Sequence, residues 1–422
     1  MALNLVLVLL LTLVPAAALA DVGMKLDEFV SYDKGDDTGD TVFTFTPNKN
    51  GAYQIEITRP LLYSTPDRLV FFDYNDVRKE FDSADIGQWK LISDENGEEH
   101  PVLGLKFVTE MNAGVTYTIS FEDNAEGNYE AKITYLGETE KVAAINETNF
   151  PDPKFRECVK EYDTNGDDAL SDIEIAQVKR MSVDYQEISS IEGIEFFTAL
   201  TYLNCSGNEL TALPDLPASL NTLDCSNNEL TALPDLPASL NTLYCWGNEL
   251  IALPELPNVL NSLNCANNPI EALPELPESL MSLCYGYTQL KEQPTLPASL
   301  NTLDCSNNEL TALPDLPASL TWLACSGNKL TNLGSVSVLT ELWSLDCSNN
   351  ELTALPDLPE NLTQLFCSGN QLTALPDLPT SLNYLDCSGN QLTKLESVSV
   401  LTELNTLDCA ENQLAALPEL PT

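Results

Sequence analysis

The chain has 422 residues and a formal net charge of −45, from 64 acidic and 19 basic side chains. This charge excludes nucleic acid and anionic membrane surfaces as expected partners, because both would be repelled. Hydrophobic residues make up 43% of the chain, which excludes a disordered polyanion.

Residues 1–20 have the pattern of a signal peptide. An apolar stretch from Leu5 to Val14 is followed by Ala18-Leu19-Ala20, which is typical of a cleavage site before Asp21. An uncleaved membrane anchor is the alternative, but the apolar stretch is short for a span. We therefore expect an exported protein, secreted or at the cell surface, without membrane insertion.

Residues 21–142 alternate apolar and polar side chains between turns rich in Gly, Asn and Asp. Strands are predicted at 41–47, 52–58, 68–74, 104–110, 116–122 and 128–136. Short strands at this density predict an antiparallel β-sandwich. The phrases FTPNKNGAYQIEI and AGVTYTISF resemble sandwich modules of bacterial surface proteins, which implies a spacer role or a carbohydrate-binding role. Residues 143–153 are predicted to be a linker.

Residues 154–181 predict two short helices around the acidic loop DTNGDDALSDIE, residues 163–174. The loop resembles an EF-hand at five of its six fixed positions, which implies a weak Ca²⁺ site. The ligands implied by the resemblance are Asp163, Asn165, Asp167, the Ala169 carbonyl, Ser171 through a water, and Glu174. Asp168 stands at the usual glycine position, where Asp tolerates positive φ better than most residues. An acidic helix–turn–helix that binds no metal is the alternative.

Residues 182–422 repeat the frame L-x-x-L-x-C-x-x-N-x-L-x-x-L-P-x-L-P about 11 times. The frame resembles the bacterial short leucine-rich repeat of the LPxLP type, and FPDPKFRECV with the acidic loop resembles the cap that precedes such arrays. The resemblance implies one strand per repeat in a parallel sheet on a concave face. Asn228 and its equivalents are expected to bond the backbone of their own and the next repeat. The Leu-Pro segments are expected to be polyproline-like and convex.

The cysteines recur at a fixed place in the frame. They are Cys205, Cys225, Cys245, Cys265, Cys305, Cys325, Cys347, Cys367, Cys387 and Cys409. Disulfides would suit export, but stacked side chains that point the same way hardly permit the required dihedral. Zinc would need ligands from several directions. We predict buried free thiols, with Cys284, one position early, as the exposed exception.

Ligand contacts are predicted at the outward positions of the repeat strands, where large side chains interrupt small ones. The candidates are Tyr202, Asp224, Tyr244, Trp246, Tyr287, Asp304, Trp322, Asp346, Phe366, Tyr384, Asp386 and Asp408. Aromatic and acidic side chains together favour a glycan or a basic protein segment. The alternative is that these side chains stack on one another and shield the sheet.

The predicted molecule is therefore multidomain, with a β-sandwich at 21–142, an EF-hand-like helical cap at 154–181 and a leucine-rich repeat solenoid at 182–422. No catalytic motif is found, and one histidine cannot supply the usual triads. We expect non-catalytic binding of a protein or glycan. The alternatives are a structural spacer, or a fragment of an exported effector that lacks its catalytic domain.

Overall fold

The computed structural model describes residues 30–33, 41–45, 47, 49–60, 68–72, 78–81, 89–93, 99–111, 117–122, 128–137, 139–290, 294–334 and 336–416. The predicted signal peptide lies outside these residues. The chain divides into two compact units, Met1–Met181 with Phe196–Ala199, and Ser182–Glu195 with Leu200–Thr422. Within the described ranges, no helix combines the length and apolarity needed to cross a membrane. The finer domain boundaries stay predictions.

The first unit begins with nine strands. They are β1 Val30–Asp33, β2 Thr41–Phe45, β3 Gly51–Pro60, β4 Arg68–Phe72, β5 Arg78–Phe81, β6 Trp89–Ser93, β7 Glu99–Met111, β8 Tyr117–Glu122 and β9 Asn128–Gly137. They form two sheets, in the orders β1-β9-β3-β7-β6 and β2-β8-β4-β5. Phe45 of one sheet contacts Tyr53 of the other edge to face, with ring centroids 5.7 Å apart. The sandwich itself stays a prediction.

The rest of the first unit contains β10 Lys141–Ala144, α1 Pro153–Lys160, β11 Ala169–Ser171 and α2 Asp172–Gln177. Helix α1 begins where the Asp152 carboxylate accepts hydrogen bonds from the backbone N–H groups of Lys154 and Phe155, at 2.8 and 2.9 Å. The expectation that the second helix continues to Met181 is wrong. Val178 is extended, and β12, Arg180–Ser182, follows.

The second unit is a solenoid, and its repeat strands follow chain order from β13 to β23 in one parallel sheet. The eleven repeat strands are β13 Tyr202–Asn204, β14 Thr222–Asp224, β15 Thr242–Tyr244, β16 Ser262–Asn264, β17 Ser282–Cys284, β18 Thr302–Asp304, β19 Trp322–Ala324, β20 Ser344–Asp346, β21 Gln364–Phe366, β22 Tyr384–Asp386 and β23 Thr406–Asp408. Their number confirms the repeat count. Short 3₁₀ turns, Val336–Val338 and Glu396–Val400, replace the Leu-Pro segment in the 22-residue repeats.

The core of the solenoid is a stack of equivalent side chains. The middle leucine of each strand pairs in register with the next, as Leu203 does with Leu223, and both are fully buried. A repeat of about 20 residues cannot enclose an apolar core alone, so each repeat is stabilised by its neighbours.

A ladder of asparagines ties the repeats together. The Asn228 side-chain N–H₂ donates to the carbonyls of Cys205 and Cys225, at 3.1 and 3.0 Å. Its carbonyl oxygen accepts from the Leu210 N–H at 3.0 Å. The side chain therefore bonds its own and the preceding repeat, and the expectation of bonds to the next repeat is wrong in direction.

The cysteines of the frame are free thiols, and those from Cys205 to Cys387 are fully buried. The prediction of buried free thiols is confirmed for them. Several donate to the next strand, as Cys265 does to the Cys284 carbonyl at 3.5 Å. Tyr285, fully buried, takes the cysteine place in the divergent repeat.

Two thiols of the solenoid are only partly buried, Cys284 and Cys409. The expectation that Cys284 is the one exposed repeat thiol is therefore wrong. Cys409 follows β23, and no strand follows it within the described residues. Burial, and then the Asp304 carboxylate, raise the pKa of the Cys284 thiol to about 12.

Candidate functional site

One side of the repeat sheet carries the first and third residues of every strand. The leucine between them is buried in β13–β22 and half-buried in β23, so these two side chains lie on the opposite side, because neighbours along a strand alternate. We call this side the strand face, defined by the first and third residues of β13–β23; the resemblance predicts that it is concave. The predicted contact residues on it are Tyr202, Asp224, Tyr244, Asp304, Trp322, Asp346, Phe366, Tyr384, Asp386 and Asp408.

Two predicted contact residues lie outside the strands. Trp246 comes two residues after Tyr244, the last residue of β15, and is 38% exposed. Tyr287 is 61% exposed but lies in the turn after β17, with φ 54°. Its assignment to an outward strand position is wrong, because Tyr285 fills the cysteine place and puts Tyr287 at the left-handed turn position.

The clearest aromatic contact on the strand face joins two neighbouring strands. The rings of Phe366 and Tyr384 are 4.7 Å apart between centroids, with an interplanar angle of 36°. Phe366 also pairs in register with Asp346 on one side and Asp386 on the other. Both rings are half-buried, so each keeps an accessible part, and that of Phe366 lies between the two carboxylates.

Tryptophans extend the aromatic surface toward β19. Trp322 is half-buried and pairs in register with Ser344, which is only 2% exposed. Trp343, directly before β20, is 43% exposed and was missed from the sequence. A comparison of the position before each strand would have found it, because most repeats carry Asn or Thr there.

The strand-face carboxylates are held by their own backbone. One oxygen of Asp346 accepts from the Ser348 N–H at 3.0 Å, and one oxygen of Asp386 accepts from the Ser388 N–H at 3.0 Å. Among the described residues, none donates to the second oxygen of either carboxylate. Asn204 makes the same bond to Ser206 at 3.0 Å, so the local turn does not require a charge.

No basic side chain offsets these acids on the strand face. None of the repeat strands β13–β23 contains Lys or Arg. The described lysines of the solenoid, Lys329 and Lys394, form ion pairs with Glu309 and Glu396, which lie off the strands. The strand face is therefore anionic and apolar together.

The acidic loop of the first unit is organised around Asp163. One Asp163 oxygen accepts from the N–H groups of Gly166 and Asp167, at 2.8 and 3.1 Å, and the other from Asp168 at 2.9 Å. Asp168 has φ 59°, as its place in the EF-hand pattern requires. Burial raises the pKa of the Asp163 carboxyl, although these amides act in the opposite direction.

The other implied metal ligands of the loop have different partners. Glu174 is buried, and its oxygens accept from the Thr164 N–H and hydroxyl, at 2.5 and 2.7 Å, and from the Ser171 N–H at 2.9 Å. Asp167 forms an ion pair with Lys141 at 2.5 Å. Within the described ranges, no three His, Cys, Asp or Glu side chains are grouped closely enough to hold a metal ion. The backbone of the loop has the left-handed residue that the calcium-loop pattern needs, but the oxygens of Glu174 bond Thr164 and Ser171 instead of facing a metal position.

Comparisons with known proteins identify the repeat. A family model described as leucine-rich repeats, in two copies, matches residues 380–422. The chain is similar to the solved structure of YopM, a leucine-rich effector protein from Yersinia pestis, with 35% sequence identity and a TM-score of 0.56. The similarity covers 64% of this chain and 72% of YopM. The chain belongs to the bacterial leucine-rich repeat proteins.

A second similar structure shares a particular feature of this leucine-rich repeat protein. The functional domain of InlJ from Listeria monocytogenes is 27% identical, with a TM-score of 0.50, and the similarity covers 67% of this chain and 73% of that one. That domain is described as including a cysteine ladder, which is also the arrangement of the buried thiols here. No match was found among curated proteins.

Proposed function

We propose that this leucine-rich repeat protein is a non-catalytic binding protein whose strand face binds a protein or glycan. Export to the cell surface or the medium belongs to the same proposal and is supported by the apolar N-terminal stretch. The main support for binding is the strand face, where Trp322, Phe366 and Tyr384 lie among carboxylates without a basic counterpart. Partly exposed aromatic side chains are the residues most often found at binding hot spots.

The spacer alternative and the effector-fragment alternative make different demands on the same residues. A spacer needs stacked repeats and a soluble surface, but it has no use for Trp246 at 38% exposure or Trp343 at 43%. An effector fragment would also bind through the strand face, and its catalytic activity would come from a further domain. The exposed tryptophans therefore favour binding over the spacer alternative.

A binding screen tests this function. The protein without residues 1–20 is applied to glycan and bacterial or host protein arrays, and any ligand is measured again with Trp246→Ala and Trp322→Ala. Loss of a hot-spot aromatic costs about 2 kcal/mol, or about 30-fold in affinity. Ile251→Ala is the control, because Ile251 is 67% exposed and lies off the strands. No ligand, or a ligand indifferent to both tryptophans, would favour the spacer.

We also propose that residues 163–174 form a weak Ca²⁺ site in an EF-hand-like cap to a short LPxLP repeat array. Support comes from Asp163, both of whose oxygens are already held by loop amides, and from the left-handed Asp168. Glu174 would have to leave Thr164 and Ser171 to contribute a ligand, which would lower affinity. The hard carboxylate and carbonyl oxygens of this set suit Ca²⁺.

Thermal unfolding in Ca²⁺ tests the cap. Millimolar Ca²⁺ is expected to raise the melting temperature of the wild-type protein, and EDTA to reverse the rise, because a ligand that binds only the folded state stabilises it. Asp163→Asn is expected to abolish the shift. Asp168→Asn is the control, since it removes the same charge and retains a residue that tolerates positive φ. Equal melting temperatures in Ca²⁺ and EDTA would mean that the loop binds no calcium.

A further inference from the structure

The third positions of β18 to β22 alternate between acidic and uncharged side chains. The register runs Asp304, Ala324, Asp346, Phe366 and Asp386, each paired with the next. Three carboxylates therefore stand on every second strand. Strands in a sheet are about 4.8 Å apart, so successive carboxylates of this row are about 9.6 Å apart.

This spacing matches a simple extended ligand that crosses the strands. A polyproline II segment rises about 3.1 Å per residue with three residues per turn, so side chains at every third residue are about 9.3 Å apart on one side. An α-helix fits the spacing less closely, since one turn advances about 5.4 Å and two turns about 10.8 Å.

The chemistry of the row selects a cationic side chain. Asp346 and Asp386 each use one oxygen for the backbone and keep the second for a ligand. Phe366 lies between them, stacked on Tyr384. A guanidinium pairs with a carboxylate and stacks on an aromatic ring, whereas an ammonium is a compact charge without a face to stack.

We propose that the strand face over β18–β22 binds an extended segment of a partner protein that carries arginine at every third residue. The arginines pair with Asp304, Asp346 and Asp386, and the one at Asp386 also contacts Phe366 and Tyr384. The proposal rests on the proposed function, because it names the class of ligand for the same face. The charge of the solenoid supports it, with 30 acidic residues and three lysines from residue 182 onward.

Synthetic peptides provide the test. The probe is a fluorescein-labelled peptide of four Arg-Pro-Pro triplets. One comparison peptide has the same composition with its four arginines contiguous, and another replaces Arg with Glu. Fluorescence anisotropy in 0.15 M salt is expected to show binding of the spaced peptide, several-fold weaker binding of the contiguous one, and none of the acidic one.

Matched double variants distinguish binding by the row of strand-face carboxylates from attraction by the overall negative charge of the solenoid. Asp346→Asn with Asp386→Asn is expected to weaken binding of the spaced peptide about tenfold, since two partly exposed pairs are lost. The fold is retained because Asn204 and Asn264 already accept the same turn bond, at 3.0 and 3.2 Å. The control, Asp357→Asn with Asp377→Asn, removes two exposed charges from the Leu-Pro segments and is expected to change affinity less than twofold.

Three results would overturn the inference. They are no binding of the spaced peptide, equal loss in both double variants, and equal affinity for spaced and contiguous arginines. The array screen distinguishes the failure of this inference from the failure of the proposed function. If an array ligand is lost in Trp322→Ala but is unaffected by Asp346→Asn with Asp386→Asn, the strand face binds something other than an arginine-bearing segment. If neither array nor peptide gives binding, both proposals fail.

Discussion

At the scale of single residues, the asparagine ladder carries much of the polar stabilisation of the solenoid. Asn228 is 8% exposed and satisfies two carbonyls and one N–H that face the interior. Asn228→Ala would leave the Leu210 N–H without a partner, whereas the carbonyls of Cys205 and Cys225 still accept from Asn208 and Asn248. A buried unsatisfied group costs about 1–3 kcal/mol, so a loss of about 2 kcal/mol in the free energy of unfolding is expected.

Urea unfolding of Asn228→Ala beside Asn221→Ala checks this value. Asn221 is exposed and makes one long side-chain bond to the backbone, 3.3 Å to the Ser239 carbonyl. Its substitution is expected to cost less than about 0.5 kcal/mol. Similar losses in the two variants would show that the ladder position has no special role.

The thiol of Cys284 is expected to be slow to alkylate despite its partial exposure. Its pKa of about 12 leaves little thiolate at pH 8, and the rate should rise about tenfold per pH unit below the pKa. Asp304→Asn removes a negative charge that disfavours the thiolate, so the pKa falls and alkylation at pH 8 becomes faster. Peptide mapping after iodoacetamide measures both rates. Unchanged labelling in Asp304→Asn would contradict the electrostatic cause.

Residue positions were predicted well where the frame is regular and poorly where it breaks. The inward cysteines follow from alternation about a fixed leucine, so they could be read from the sequence. In the divergent repeat, Cys284 comes one position early, so alternation about Leu283 leaves the inward place to Tyr285, which is fully buried. Tyr287 was misplaced because β17 ends at Cys284 and Tyr287 lies in the turn, with φ 54°. Glu174 was assigned to calcium, but it forms a capping box with Ser171 at the start of α2 and also accepts from Thr164, which no loop pattern includes.

At the scale of elements, the turn after each strand depends on a left-handed residue. Gly247 has φ 69°, and a Cβ placed on it would lie 2.7 Å from the Asn227 side-chain oxygen. The turn residue of one repeat therefore covers the glycine of the next. Asn227 is itself left-handed, with φ 51°, as the equivalent turn residue of its own repeat.

Gly247→Ala is expected to destabilise the protein more than Gly334→Ala. Both glycines have positive φ, which costs an alanine about 1 kcal/mol, but the site at Gly334 is open. The contact with Asn227 adds about 1–3 kcal/mol of overpacking at Gly247 alone. Chemical denaturation of the two variants gives the difference. Equal losses would mean that Asn227 moves aside without cost.

Elements were predictable where one signal dominates. The repeat strands follow from the frame, and the loop of residues 163–174 follows from its acidic spacing. The second helix was predicted too long because Ile175, Val178 and Met181 recur at a helical spacing, whereas Arg180–Ser182 form the strand β12. Strands β1, β5 and β6 were missed because their short segments show weak alternation.

At the scale of the whole molecule, the solenoid is a set of equal turns, each held by its neighbours. Such a design lets the surface side chains vary while leucines, cysteines and asparagines hold the frame. The side chains of the strand face differ from repeat to repeat, since Tyr244, Trp322 and Phe366 replace small or acidic residues there. The architecture could therefore be predicted from the repeat, but the ligand depends on the few large side chains that depart from the repeat pattern.

The most direct test of the account is the affinity of the array ligand for two single variants. Phe366→Ala removes a ring from the strand face, and Ile251→Ala removes an exposed side chain of the same solenoid off the strands. We expect the dissociation constant to rise about 30-fold for Phe366→Ala and less than about twofold for Ile251→Ala. Equal dissociation constants for the two variants would contradict the claim that the strand face is the binding surface.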